Sequence, residues 1–115
     1  MEPGLVIAAI VVIAGAAAVI VTTHLAGIGR LPRQRIAGIR VKATLASDEA
    51  WRTAHRAATP IVWLTGSICA IAALGALGFA GSGASTEATV LLVFGLVVLL
   101  VGIALGAWRG IAAVR

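Results

Sequence analysis

The sequence predicts an all-α integral membrane protein with three transmembrane helices and one short cytoplasmic amphipathic helix at the membrane interface before the second span. Of the 115 residues, 61% are hydrophobic and 11% are charged, whereas soluble domains carry about 25% charged residues. Three runs, residues 3–29, 57–86 and 88–108, lack Asp, Glu, Lys and Arg. Each is longer than the roughly 20 residues that cross a bilayer. We expect residues 1–115 to form a single membrane domain.

The three helices are expected near residues 5–27, 60–80 and 88–108. Only Glu2 precedes the first run, where a signal peptide would have a basic start, and the run is longer than the apolar core of a signal peptide. We therefore expect this run to remain as the first span. The loop between the first two spans, residues 28–59, is much more polar than the rest of the chain.

Orientation follows from the basic residues, all nine of which fall in the first loop or after the third span. They are Arg30, Arg33, Arg35, Arg40, Lys42, Arg52, Arg56, Arg109 and Arg115. With three spans, these two regions share one side, which the positive-inside rule makes cytoplasmic. The tryptophans Trp51, Trp63 and Trp108 map to the same interface, where indoles are enriched. We expect a multi-pass protein of the bacterial plasma membrane with its N-terminus outside.

The net charge of +5 is therefore explained by topology and by anionic lipid headgroups, and we expect no nucleic-acid partner. The third span carries glycine at i, i+4 and i+8, namely Gly102, Gly106 and Gly110. Such a stripe favours close helix packing in lipid. The packing partner is either another helix of this chain or a second chain, in a homo-oligomer or with a membrane protein partner.

The polar segment before the second span has the signals of a helix over residues 48–58. Ser47 is a good N-cap, Asp48 and Glu49 favour the positive end of the helix dipole, and Thr59-Pro60 predicts a break before the second span. Trp51, Ala54, His55 and Ala58 share one face at i, i+3, i+4 and i+7. We expect this face against the membrane surface, with Arg52 and Arg56 toward the headgroups.

Catalytic chemistry is not indicated. The segment has no nucleophile with a base and an orienting group. Asp48 lies two helical turns from His55, too far for contact, and Glu49 lies on a different face of the helix from His55. Too few ligands are present for a metal site, and the spans lack the charged groups that ion and proton pathways use. We expect no enzyme activity, no catalytic residue, no cofactor and no metal.

The same segment resembles the SdpI-like family of small bacterial membrane proteins. The resemblance rests on Gly38-Ile39-Arg40, Thr44-Leu45, Ser47-Asp48-Glu49 with Trp51, and His55-Arg56, directly before a span, and covers roughly residues 25–108. Val41-Lys42 departs from the Thr-Pro of many relatives. The resemblance implies a polytopic plasma-membrane protein without known catalysis, and for the namesake a role in immunity to a secreted toxic peptide, coupled to capture of a transcriptional repressor at the membrane.

The leading hypothesis is a non-catalytic SdpI-like immunity or signalling protein that acts by binding. The alternative is a small accessory subunit of a larger membrane complex, and an assembly protein that organises lipid is a third possibility. The residues predicted to carry a partner site are Gly38, Arg40, Asp48, Glu49, Trp51, Arg52, His55 and Arg56. For this segment, recognition of a partner and a purely structural role both remain open at this point.

Overall fold

The computed structural model describes residues 2–115 as an all-helical bundle. Its elements are α1 (Pro3–Gly27), α2 (Lys42–Leu45), α3 (Asp48–Gly81) and α4 (Ser85–Val114). The helices α1, α3 and α4 are each long and apolar enough to cross a membrane. The prediction of an all-α protein with three transmembrane helices is confirmed.

The three long helices run antiparallel to their neighbours in sequence, and α3 is the central one. Both α1 and α4 pack along α3, whereas α1 and α4 touch each other at few points. A tight turn with Gly83 at φ +85° joins α3 to α4, and the backbone N–H of Glu2 donates to the carbonyl of Ala80 at the same end. The bundle is 49 Å long and about 20 Å wide, longer than the roughly 30 Å of bilayer hydrocarbon.

Small residues form the seam between α3 and α4. The buried positions of α4 are Ala88, Leu92, Gly95, Leu99, Gly102, Gly106 and Gly110. The two steps after Gly102 are of four residues, and those from Ala88 to Gly102 alternate between four and three. This spacing is that of a left-handed coiled coil. A Cβ added at Gly95 would lie 3.2 Å from the carbonyl oxygen of Cys69. The helices are therefore close enough for backbone contact, which is how small residues drive packing in lipid.

The predicted break at Thr59-Pro60 is wrong, because α3 is one helix of 34 residues that contains Pro60. The helix begins at Asp48 as predicted, with the Ser47 hydroxyl accepting the Ala50 N–H at 2.9 Å. A proline inside a helix costs about 3 kcal/mol, but here both sides of the proline are packed against the same neighbours. Ala58 and Val62, on either side of Pro60, are both buried in one cluster, which favours a continuous helix.

A second correction concerns what the first turns of α3 face. The predicted stripe of Trp51, Ala54, His55 and Ala58 is buried throughout, but it is covered by protein and not by the membrane surface. Trp51 is 1% exposed, in contrast to Trp63 at 47% and Trp108 at 64%. The placement of Trp51 at the lipid interface is therefore wrong. The loop that joins α1 to α3 covers Trp51 and His55, whereas Ala54 and Ala58 lie against Gly110 and Gly106 of α4.

Candidate functional site

The capping loop, residues 28–47, covers the end of the bundle where α1 stops short. A Cβ added at Gly27 would lie 3.1 Å from the backbone of Arg56, so the end of α1 is level with Arg56. The first two turns of α3, which begins at Asp48, therefore extend beyond the end of α1. On the other side, α4 runs on to Val114. The space left by α1 is filled by the capping loop, which folds back onto the buried stripe of α3.

His55 is the centre of this arrangement. Its Nε2 accepts the backbone N–H of Ile39 at 2.8 Å, and its Nδ1 lies 2.7 Å from the carbonyl oxygen of Trp51. Because Nε2 faces a donor and Nδ1 faces an acceptor, the network assigns the proton of the neutral ring to Nδ1. The side chain is fully buried. Both ring nitrogens are thus engaged within the chain.

Burial sets the charge state of this imidazole. His55 precedes the apolar part of α3, and its pKa is lowered from the ordinary value of 6.5 because burial disfavours the charged form. The hydrogen bond to the Trp51 carbonyl opposes this shift but is the smaller effect. A protonated ring would also place an N–H against the N–H of Ile39. The structure therefore requires a neutral His55.

Trp51 holds a second point of the capping loop. Its indole N–H donates to the carbonyl of Leu31 at 2.8 Å, and its ring lies 4.2 Å from that of His55, centroid to centroid, at 43°. Indole N–H groups usually find such a partner when they are buried. Trp51 and His55, one turn apart on α3, therefore hold loop residues that are eight positions apart.

Gly38 passes directly over these two rings. Its φ is +92°, and an added Cβ would lie 2.7 Å from Nε2 of His55 and 2.9 Å from Cη2 of Trp51. Both the backbone conformation and the lack of space require glycine. The motif residues Gly38, Trp51 and His55 are thus brought together in one contact.

Thr44 closes the last turn of the capping loop and was not among the predicted site residues. Its hydroxyl oxygen accepts the Val41 N–H at 3.1 Å and lies within hydrogen-bonding distance of the carbonyls of Val41 and Ile39. Thr44 thereby caps the N-terminus of the short helix α2, which begins at the Val41-Lys42 pair where many relatives have Thr-Pro. The signal that could have found it is its place in the quoted motif.

Gln34 was also missed, and no sequence pattern marks it. Its amide oxygen accepts the backbone N–H groups of Ile36 and Ala37 at 2.7 and 2.9 Å, and its amide nitrogen donates to the carbonyl of Ala37 at 2.9 Å. These bonds fix the turn that leads into Gly38.

The charged side chains of the segment are exposed, unlike the buried rings of Trp51 and His55. Asp48 pairs with Arg33, whose Nε lies 3.1 Å from the carboxylate, and not with Arg52, as the spacing along the helix would suggest. Arg33 also donates to the carbonyl of Leu45 at 3.1 Å, and Arg40 donates to the carbonyl of Arg35 at 2.7 Å. These contacts are exposed, so each contributes at most about 1 kcal/mol.

Glu49, Arg52 and Arg56 are exposed on one face of α3, at i, i+3 and i+7. Within residues 2–115, the two guanidinium groups make no hydrogen bond or ion pair. The stem of Arg52 runs beside Gly29, where an added Cβ would lie 3.1 Å from Cδ. We call Arg52 and Arg56 the arginine face. The arginine face is the basic part of the predicted site that has no partner among residues 2–115, and the Glu49 carboxylate beside it makes no ion pair there either.

The predicted packing glycines connect this end to the rest of the bundle. Gly102, Gly106 and Gly110 are all buried against α3. A Cβ added at Gly110 would lie 2.6 Å from the carbonyl oxygen of Ala54 and 3.1 Å from Cδ1 of Ile39. Gly110 therefore contacts both α3 and the capping loop.

The fold and site define a class: a helical membrane protein with three helices long and apolar enough to span a bilayer, whose first loop is hydrogen-bonded over the polar start of the central helix. The model of the SdpI/YfhL protein family matches residues 30–107, which include the capping loop from Arg30, all of α3 and most of α4. The chain belongs to this family. No curated protein and no solved structure matches the chain.

Proposed function

We propose that this chain is a non-catalytic immunity or signalling protein of the SdpI type that acts by binding through the arginine face. The observation that carries the proposal is the difference in burial between the aromatic and the basic residues of the motif. Trp51 and His55 are buried and bonded inside the chain, whereas the guanidinium groups of Arg52 and Arg56 are exposed and unpaired among the described residues.

The chemistry of the partner follows from this face. Two guanidinium groups one helical turn apart form bidentate hydrogen bonds with carboxylates or phosphates. An acidic surface of a second protein fits this pattern. We propose that the face lies in the cytoplasm, since all nine basic residues belong to one end of the bundle. A protein partner there would be a cytoplasmic regulator or the inner part of a membrane complex.

The test compares two double variants that remove the same charge from the same end. Arg52→Ala with Arg56→Ala removes the arginine face, and Arg109→Ala with Arg115→Ala is the matched control. Each is expressed in a bacterial strain sensitive to a secreted toxic peptide of the kind that SdpI-type proteins act against. Abundance in the membrane fraction is measured for every variant, and Trp51→Ala serves as the structural comparison.

The first double variant should reach normal abundance and lose protection, and the control should keep both. Protection by the Arg52/Arg56 variant equal to that of the unmodified chain would overturn the proposal. Loss of protection only where abundance also falls, as expected for Trp51→Ala, would make the segment purely structural. A stoichiometric membrane protein that co-purifies with the chain, without protection, would favour the accessory-subunit role instead.

A further inference from the structure

An apolar groove of about 360 Å³ lies between α1 and α4 at the end that carries the capping loop. It exists because α1 and α4 both pack on α3 but barely meet each other. Val19 and Thr23 of α1 and Ile103 and Ala107 of α4 line its sides. Val62 of α3 and Gly38 of the capping loop also line it, so the loop bounds one end.

The segment that bounds the groove is flanked by cations and carries an exposed apolar tip. Arg35 and Arg40 stand on either side of it, both exposed, and the guanidinium of Arg40 is turned back toward the carbonyl of Arg35. Ile36 is 88% exposed, although its turn is fixed by the side chain of Gln34. An ordered turn that presents an isoleucine between arginines matches a membrane surface, with apolar chains below and phosphates above.

We propose that this groove binds one anionic phospholipid, with an acyl chain between α1 and α4 and the phosphate at Arg35 and Arg40. Basic residues at the cytoplasmic side of transmembrane helices attract anionic headgroups, and Arg35 and Arg40 flank the loop residues Ala37 to Ile39 that line the groove. Acidic groups do not oppose the site: at this end of the bundle the carboxylates are Asp48, which is paired with Arg33, and Glu49, which lies on the exposed face of α3 that carries Arg52 and Arg56.

Selectivity must come from the headgroup. A lipid chain that enters the groove leaves surroundings as apolar as the groove itself, so it gains packing but no hydrophobic transfer energy. The groove therefore selects for shape, and the arginines select for charge. The site is separate from the arginine face, because Arg35 and Arg40 adjoin the loop residues that line the groove, whereas Arg52 and Arg56 lie on α3. None of the four arginines lines the groove itself.

The experiment is native mass spectrometry of the full chain released from nanodiscs. The discs contain phosphatidylglycerol and phosphatidylcholine with identical acyl chains, so that only the headgroup differs. The unmodified chain should retain one phosphatidylglycerol in preference to phosphatidylcholine. Arg35→Gln should lower that preference about fivefold, the effect of one arginine at an anionic surface. Arg109→Gln removes the same charge on a different surface, beside Ala57 and Ile61 of α3, and should change the preference little.

A second pair of variants, in which phenylalanine replaces alanine, tests whether the groove itself holds the lipid. Ala107→Phe fills it, and Ala104→Phe adds the same bulk at an exposed position of α4 that does not line it. Ala107→Phe should abolish retention and Ala104→Phe should not. The proposal is overturned if the unmodified chain shows no preference for phosphatidylglycerol, or if both phenylalanine variants retain it equally. A lipid-free dimer that Ala107→Phe dissociates would also overturn it, in favour of a second copy of the chain.

Discussion

The imidazole of His55 accepts a hydrogen bond from the backbone N–H of Ile39, sixteen residues earlier, at 2.8 Å. This bond joins the capping loop to the start of α3. It can form only while the ring is neutral, because a protonated imidazole has no acceptor. The attachment of the loop is therefore linked to pH.

The first prediction concerns that linkage. The pKa of His55 is lowered by folding, so between its folded value and about 6.5 the unfolded chain binds more protons than the folded chain. Stability then rises with pH in this window and is lost as the pH falls below about 6.5. Thermal unfolding in detergent should show a lower midpoint at about pH 5.5 than at about pH 8. His55→Gln should be less stable and should lose most of this pH dependence. Equal pH dependence in His55→Gln and the unmodified chain would contradict the assignment.

The second prediction concerns Gly38. Gly38→Ala forces a methyl group to within 3 Å of the rings of Trp51 and His55 at a backbone φ of +92°. We expect a loss of about 1–3 kcal/mol, the range for a strained backbone position, measured by thermal or denaturant unfolding in detergent. Gly78→Ala is the matched control, because an added Cβ there meets nothing within 4 Å and alanine favours a helix. A stable Gly38→Ala protein with the same pH dependence as the unmodified chain would show that the loop does not need this close approach.

The third prediction ranks the packing glycines of α4. An added Cβ at Gly110 meets the carbonyl oxygen of Ala54 at 2.6 Å, whereas at Gly106 the nearest atom is Cγ2 of Val62 at 3.2 Å. A side chain can shift more easily than a helix backbone, so Gly110→Ala should lower the unfolding midpoint more than Gly106→Ala. Gly15→Ala on α1, where nothing lies within 4 Å, should leave it unchanged or raise it. The reverse order would mean that α3 and α4 are less closely packed at this end.

The fourth prediction concerns orientation. Single cysteines at Ser82 and Ala46, both exposed and at opposite ends of the bundle, are placed in a background with Cys69→Ala. An impermeant maleimide applied to intact cells should label position 82 and not position 46, because the basic end is expected to be cytoplasmic. Both positions should react after the cells are lysed. Labelling of position 46 alone in intact cells would reverse the topology and place the arginine face outside.

The number and order of the spans could be predicted from the sequence because twenty apolar residues without a charge have few alternatives to crossing a membrane. The buried stripe from Trp51 to Ala58 was also predicted, since helical periodicity identifies which residues share a face. What covers that face could not be predicted. An apolar stripe has the same sequence pattern whether lipid or a folded loop covers it. The loop is held through backbone groups of Leu31 and Ile39, and backbone groups do not depend on which side chains the sequence contains.

The error at Pro60 has a different cause. The residue before a proline is disfavoured in a helix, so a Thr-Pro pair usually marks a helix boundary. This local backbone preference predicted that the helix would end before Pro60. The long-range contacts on both sides of the proline, such as Gly110 with Ala54 and Gly106 with Val62, outweigh that preference. They involve residues about fifty positions apart, so no local pattern contains them.

The continuous course of α3 through Pro60 makes the polar start of the helix a rigid arm that extends its apolar part. The part before Pro60 is about 18 Å long at 1.5 Å per residue, and α4 is packed beside it at Gly110. If the helix pivots where it leaves the bilayer, a tilt of about 20°, the average for such helices, moves Asp48 sideways by about 6 Å. Bilayer thickness influences that tilt, and the capping loop and the arginine face move with the arm. Any tilt of α3 in a membrane therefore displaces Arg52 and Arg56 together with the capping loop, as one rigid unit.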